Sequence, residues 1–502
     1  MSKAEDIYEE RPQGMSVRHA AVWSVGGQYI GFALQFVSSV VISRFFLAPA
    51  EVGLFSIALA AAMLISLLQD FGLTRFVVNM LEVTRDDIRR CSSVALVFAL
   101  TIGVVIAIAA VPMARAYGHK ELAPILLIIA GSYVFVPYAI VPMALMSRDM
   151  AFRGLFAINT SSALAQAAIA IGLAWLGFSS SSLAWAMVGA ALVKAVVAQS
   201  LRPALPFPLR FDGIRPVLNF GSKSSTLFVI GAAGSRSADL VIGGMLSLTA
   251  TGLFSRANGL TQQLRMLISG AAGAVLYPAM ARLQREGEDL AEPYLRVVAC
   301  FTAANWPAML GLAIAAGPTV NFLFGPAWAG TAPILSLIAI SELLFVALPF
   351  HVEMGILRGR MHRLIGYNIL DTGASLLLLF IGAGISLHFA AISRIAYSIV
   401  WLAIYMRFVC GLAGIHPRQL LPIYLSSAAA TLAAIAPLGI VALLVQDFAT
   451  INFAWLVILA TSGVALWLIV LMLLDHPLYR EIRGMAEDAT ARVRALHARA
   501  AG

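Results

Sequence analysis

The sequence predicts an all-α polytopic membrane protein of about fourteen transmembrane helices, and three observations carry that prediction. Only 12% of its 502 residues are charged while 60% are hydrophobic, with a mean hydropathy of +0.88. The apolar residues fall in runs of about 20, the length that spans a hydrocarbon core as helix. Cations recur in every second connection between those runs, as topology signals do. A soluble domain carries about a quarter charged residues, so lipid is the expected solvent for most of this surface. A transmembrane β-barrel is excluded, because its strands alternate apolar and polar residues, whereas these runs are apolar on every face.

The candidate spans lie roughly at 20–43, 52–69, 91–111, 123–146, 154–176, 182–201, 220–246, 250–280, 293–317, 331–356, 363–385, 388–409, 419–446 and 452–474. Polar residues make the eighth the least regular. The polar segment 1–19 precedes them, and the apolar stretch after it is too long for a cleavable signal. Connections after even-numbered spans hold Arg85, Arg89 and Arg90, then Arg148 and Arg153, then Arg202, Arg210 and Arg215, then Arg282 and Arg285, then Arg358, Arg360 and Arg363, then Arg407 and Arg418. Connections after odd-numbered spans are poor in cations, Arg44, Arg115 and Lys120 being the main exceptions. Both termini are therefore expected on the cytoplasmic side. The tail, 475–502, reads as a basic helix that is solvated or lies on an anionic membrane surface.

The net charge of +9 is scattered singly and in pairs between spans, which argues against a nucleic-acid partner. Cys91, Cys300 and Cys410 have no metal or disulfide spacing. No phosphate loop, H-E-x-x-H motif or dinucleotide fingerprint occurs, so neither cofactor nor metal is expected. Short, nearly uncharged outer loops such as GFSSSS leave no room for the catalytic loop of a membrane glycosyltransferase or polymerase, and the chain is not expected to be an enzyme.

An internal repeat organises the spans. VISRFFLAPAEVGLFSIA (Val41 to Ala58) aligns with LVIGGMLSLTATGLFSRA (Leu240 to Ala257), so that the shared GLFS starts at Gly53 and again at Gly252. Both copies lie at a turn between two spans, first to second and seventh to eighth. Six spans separate them, which predicts a parallel repeat: an N-lobe over 20–201, a linker over 202–219 and a C-lobe over 220–409, with two further helices within 419–474.

The segment SADLVIGGMLSLTATGLFSRANGLTQQLRMLISGAAGAVLYPAMARLQ resembles the signature region of Wzx-type polysaccharide transporters. These are lipid-linked oligosaccharide flippases of the multidrug/oligosaccharidyl-lipid/polysaccharide exporter superfamily. ISRFFLAPAEVGLFSIALA with FGLTRFVV resembles the start of such proteins, and GPAWAGTAPIL with GILRGRMHRL a later portion. The resemblance implies two lobes around a central cavity in a bacterial inner membrane. It implies movement of undecaprenyl-pyrophosphate-linked oligosaccharide from the cytoplasmic to the outer leaflet, with polysaccharide polymerase and glycosyltransferases as partners beside membrane lipids. The alternative is a cation-coupled drug exporter of the same superfamily, but such exporters typically have 12 spans and an acid in the first helix, where 20–43 has none.

Ionisable residues inside spans are costly and so mark candidate sites. Arg236 and Asp239, three apart, either serve the substrate and coupling or neutralise each other. Arg256 stands where the first repeat copy has Ile57, and either meets an anionic substrate or snorkels outward. Arg265 lies among Asn258, Gln262 and Gln263, a stripe that lines a cavity or a buried network. Arg256 and Arg265 are the expected pyrophosphate pair facing one cavity, because a guanidinium donates two parallel hydrogen bonds to a phosphate. Glu342 and Asp371 either bind H+ or Na+ for coupling or salt-bridge a cavity arginine. Lys194 and Arg394 read as snorkelling cations or cavity residues, and Gln28, Gln35, Asn159 and Gln166 as polar helix contacts or sugar ligands.

Overall fold

A computed structural model describes residues 17–66, 73–80, 83–212, 214, 237–484 and 487, and among these it is helical throughout, with no β-sheet. Among the described residues eight helices are long and apolar enough to cross a membrane, including Arg85–Tyr117, Phe152–Trp175, Ser181–Leu201, Met361–Ala383 and Phe453–Leu473. The pair Leu122–Ser132 and Pro137–Arg148, bent by 46°, makes a ninth when taken as one span. The polytopic all-α class follows. The remaining expected spans correspond to Val17–Phe45, to the shorter Pro49–Ile65, to Leu248–Arg285 and to the broken pair Thr331–Phe345 and His351–Leu357. Most of 220–246 lies outside the described residues.

The apolar composition decides which surfaces face outward. On Phe453–Leu473, Trp455, Ile458, Val464 and Leu473 are all exposed, and Leu443 of Leu420–Leu444 is 89% exposed. Water would penalise each by roughly 25 cal/mol per Å² of apolar area, whereas lipid tails do not.

By compactness the chain divides into two units. The first is residues 1–255 with 379–387, and the second is 256–378 with 388–502. In the first unit, α1 (Val17–Phe45) is followed by α2 (Pro49–Ile65), α3 (Leu73–Asn79), α4 (Arg85–Tyr117), α5 (Leu122–Ser132), α6 (Pro137–Arg148), α7 (Phe152–Trp175) and α8 (Ser181–Leu201). Local chemistry fixes the ends. Pro49 starts α2, and the Glu51 carboxylate accepts from Ala48 N at 2.7 Å. Thr84 caps α4 by accepting from Asp87 N at 3.1 Å, while the Asp87 side chain accepts from Thr84 N at 3.2 Å. At the far end of α4 Gly118 takes φ 72°, a left-handed cap that favours glycine. The core packs α2, α4 and α5 through Ile57, Ile106, Ile125 and Ile129, all fully buried.

Two helices of the first unit approach backbone to backbone. A Cβ on Gly53 of α2 would lie 1.8 Å from Leu248 O, and one on Gly252 would lie 1.9 Å from Pro49 O. Ser56 Oγ donates to Ser255 Oγ at 3.0 Å. The two glycine contacts are repeat equivalents of each other and the serine contact joins equivalent positions, so the two GLFS copies pack on each other about a local two-fold axis. Small residues permit this approach, and van der Waals contact rather than apolar burial drives it in lipid.

In the second unit, α9 (Leu248–Arg285, whose first eight residues belong to the first unit) leads to α10 (Ala291–Ile314), α11 (Ala316–Phe324), α12 (Thr331–Phe345), α13 (His351–Leu357), α14 (Met361–Ala383) and α15 (Leu387–Ala413), whose facing ends over 379–387 belong to the first unit, and then to α16 (Leu420–Leu444) and α17 (Phe453–Leu473). Its core gathers Tyr294, Trp401, Tyr405, Phe408 and Leu420 from α10, α15 and α16. Tyr294 Oη donates to Pro349 O at 3.0 Å and holds the break between α12 and α13, where Phe350 takes φ 57°.

Candidate functional site: an arginine–glutamate cluster in the second unit

Glu342 is 1% exposed near the C-terminal end of α12. A carboxylate closed off from water is costly unless paired, and two guanidiniums pair it. Arg265 Nη1 of α9 donates to Glu342 Oε2 at 2.8 Å, and Arg394 Nη2 of α15 stands 3.5 Å from Oε1. The arginines are more open than the acid: the Arg265 side chain is 41% exposed and that of Arg394 23%. One anion thus serves two cations, one on each oxygen.

Aromatic rings complete the surroundings. The Arg394 guanidinium carbon lies 5.1 Å from the Phe345 ring centre and 5.8 Å from that of Tyr397. Tyr397 Oη donates to Asp371 Oδ1 of α14 at 2.9 Å. Phe345 also meets Trp401 edge-on, and Trp401 meets His351 and Tyr405. Phe345 and Tyr397 stand three residues after Glu342 and Arg394, one helical turn on, so each charged residue carries an aromatic neighbour on its own face.

Helical periodicity separates the two arginines that the sequence paired. Nine residues are about two and a half turns, so Arg256 and Arg265 lie on opposite faces of α9. Arg256 stacks 5.7 Å from the ring centre of Trp328, which is fully buried, and Arg265 turns to Glu342. They do not face one cavity as an adjacent pair. Asn258 and Gln262, seven and three residues before Arg265, do share its face and are half-buried. Asp239 lies in the helical stretch 237–245 of the first unit, half-buried, and Arg236 lies outside the described residues.

Glu342 and Asp371 part company. Glu342 takes the salt-bridging of its two expected roles, whereas Asp371 accepts a phenol hydrogen bond and makes no ion pair among the described residues. Trp328, Phe345 and Tyr397 escaped the sequence reading because an aromatic in an apolar run carries no signal of its own. The i+3 spacing from a charged residue is the signal that finds two of them. Among the described residues no cluster of His, Cys, Asp and Glu is suited to a metal ion.

Among the described residues the chain is a polytopic α-helical membrane protein whose second unit holds a closed carboxylate between two arginines. Residues 41–333, more than half of the chain, match the model of the family described as polysaccharide biosynthesis protein, and the chain belongs to that family. It is 24% identical over 343 residues to the lipopolysaccharide biosynthesis protein WzxC of Escherichia coli K12, covering 66% of this chain and 68% of the relative. It is 26% identical over 330 residues to the succinoglycan biosynthesis transport protein ExoT of Rhizobium meliloti 1021, covering 64% of this chain and 65% of that one. Its fold resembles that of the lipid II flippase MurJ in an inward closed conformation, with a TM-score of 0.72 at 13% identity over 92% of this chain and 99% of the other.

Proposed function

We propose that this protein carries undecaprenyl-pyrophosphate-linked oligosaccharide repeat units from the cytoplasmic to the outer leaflet of a bacterial inner membrane, for polysaccharide biosynthesis. The observation that carries the reading is Arg265: an arginine in an apolar helix, two-fifths exposed and anchored from behind by a closed carboxylate. A diphosphate needs such a donor, since hydrocarbon does not tolerate its charge, and a guanidinium fork meets it with two parallel hydrogen bonds. Asn258 and Gln262, on the same face, offer amides to the first sugars. Arg256 serves at a separate position along the path, backed by Trp328.

The chain crosses the membrane fourteen times, in lobes 20–201 and 220–409 followed by two helices within 419–474, with both termini cytoplasmic. Cysteine-accessibility labelling tests this, and an extracytoplasmic location of the 475–502 tail contradicts it. Coupling to H+ or Na+ belongs to Asp371, which has no ion-pair partner among the described residues, rather than to Glu342 or Asp239. Polymerase and glycosyltransferases act on either side of the transport step.

The decisive experiment deletes the gene and follows the lipid-linked repeat unit. Accumulation of that lipid on the cytoplasmic leaflet, relieved by the wild-type chain with no change in drug resistance, is the expected result. Unchanged lipid with increased drug sensitivity supports the exporter alternative instead.

A further inference from the structure

Two guanidiniums share one carboxylate in the second unit, and the two ends of that arrangement differ in access. Glu342 is closed, while Arg265 and Arg394 are open by 41% and 23%. Donors remain to spare. A guanidinium has five N–H donors, yet Arg394 Nη2 stands 3.5 Å from its carboxylate oxygen, and the buried Nε makes no hydrogen bond among the described residues. The rings of Phe345 and Tyr397 lie against Arg394 but accept no strong hydrogen bond. Two guanidiniums therefore bring more donors than the one carboxylate they pair with can accept.

We infer that Glu342 is a resident counter-ion, which occupies Arg265 and Arg394 while the carrier is empty and yields their donors to the diphosphate of an incoming lipid-linked substrate. The inference rests on the proposed function and adds Arg394 to the substrate site. An empty carrier with two uncompensated arginines inside its membrane part would bear a heavy desolvation cost, and Glu342 removes part of it. The substrate's two phosphates then outbid a single carboxylate, because they offer more acceptor oxygens and more charge. Glu342 is thus a positioning residue that competes with the substrate. It sets how tightly the substrate binds and how readily it leaves.

This role predicts an effect opposite to that of an ordinary binding residue. Neutralising the competitor frees both arginines, so Glu342→Gln binds diphosphate more tightly while turning over more slowly. The experiment measures binding of undecaprenyl pyrophosphate to the purified full chain in nanodiscs by tryptophan fluorescence, with inorganic pyrophosphate as the lipid-free probe. Expected is roughly tenfold weaker binding in Arg265→Gln and Arg394→Gln, and roughly tenfold tighter binding in Glu342→Gln, the scale of close charge pairs at interfaces. Glu342→Asp keeps the charge but shortens the reach, so its affinity falls between the wild type and Glu342→Gln. It carries the test if the Gln variant does not fold. Weakened binding in both arginine variants, with unchanged or weaker binding in the Glu342 variants, overturns the counter-ion inference and leaves the proposed function standing. Unchanged binding in both arginine variants removes the cluster from the substrate site altogether.

Discussion

The crossing of α2 and α9 in the first unit and the charged cluster of the second solve opposite problems. At the crossing, Gly53 and Gly252 let backbones touch, and Ser56 and Ser255 share a hydrogen bond at 3.0 Å. In the cluster, long side chains from α9 and α15 converge on one carboxylate of α12. The repeat shows how the two diverge. Its copies remain alike through Ser56 and Ser255, where symmetry serves packing. One residue later Ile57 is fully buried in an apolar core, while Arg256 stacks on Trp328. Scaffold symmetry ends where charge begins, as the proposed substrate with one diphosphate would require.

Substitutions can break this contrast, and the largest effect is expected at Trp328. The ring is fully buried and backs Arg256, so Trp328→Ala costs about 3–5 kcal/mol, read as a large loss of thermal stability in detergent. Next comes the glycine crossing. Gly252→Ala gains about 1 kcal/mol of helix propensity, but its methyl would sit 1.9 Å from Pro49 O, a backbone atom that cannot swing aside. The clash wins, with a net loss of about 1–3 kcal/mol. Gly259→Ala, two turns along the same helix with nothing within 4 Å, keeps the propensity gain and leaves stability unchanged or raised. Equal effects at the two glycines would contradict the crossing.

Much of this was legible in the sequence, and the limits have physical causes. Hydropathy gave span boundaries closely where helices run unbroken: 182–201 became Ser181–Leu201, and 363–385 became Met361–Ala383. It missed the breaks. The expected 123–146 bends between Ser132 and Pro137, and the expected 331–356 breaks after Phe345, with Pro349 and Phe350 between the pieces. Prolines inside apolar runs leave the hydropathy signal intact while removing backbone donors. The GLFS repeat was visible, but its two copies touching was not, because sequence similarity carries no distance. Arg265 and Glu342 were both visible as costly charges, whereas their partnership spans 77 residues and is a tertiary fact.

A smaller effect is expected just beyond α17. His476 is buried, and that burial lowers its imidazole below the usual 6.5, while Nδ1 accepts from Leu478 N at 3.2 Å. A lowered folded value means that its contribution is fully present above about pH 6.5 and is lost as pH falls through the folded value. Hydrogen exchange in residues 474–484 should therefore quicken on acidification, and His476→Gln should flatten that pH dependence.

The central claim, that the arginines of α9 hold the substrate's diphosphate, is tested most directly by complementation. A strain lacking this chain, and therefore its polymer, receives the Arg256→Gln/Arg265→Gln double variant, with membrane abundance measured alongside. The account predicts polymer reduced by tenfold or more, the scale of losing about 1.4 kcal/mol of binding, at normal abundance. Wild-type polymer from a normally abundant double variant would contradict it.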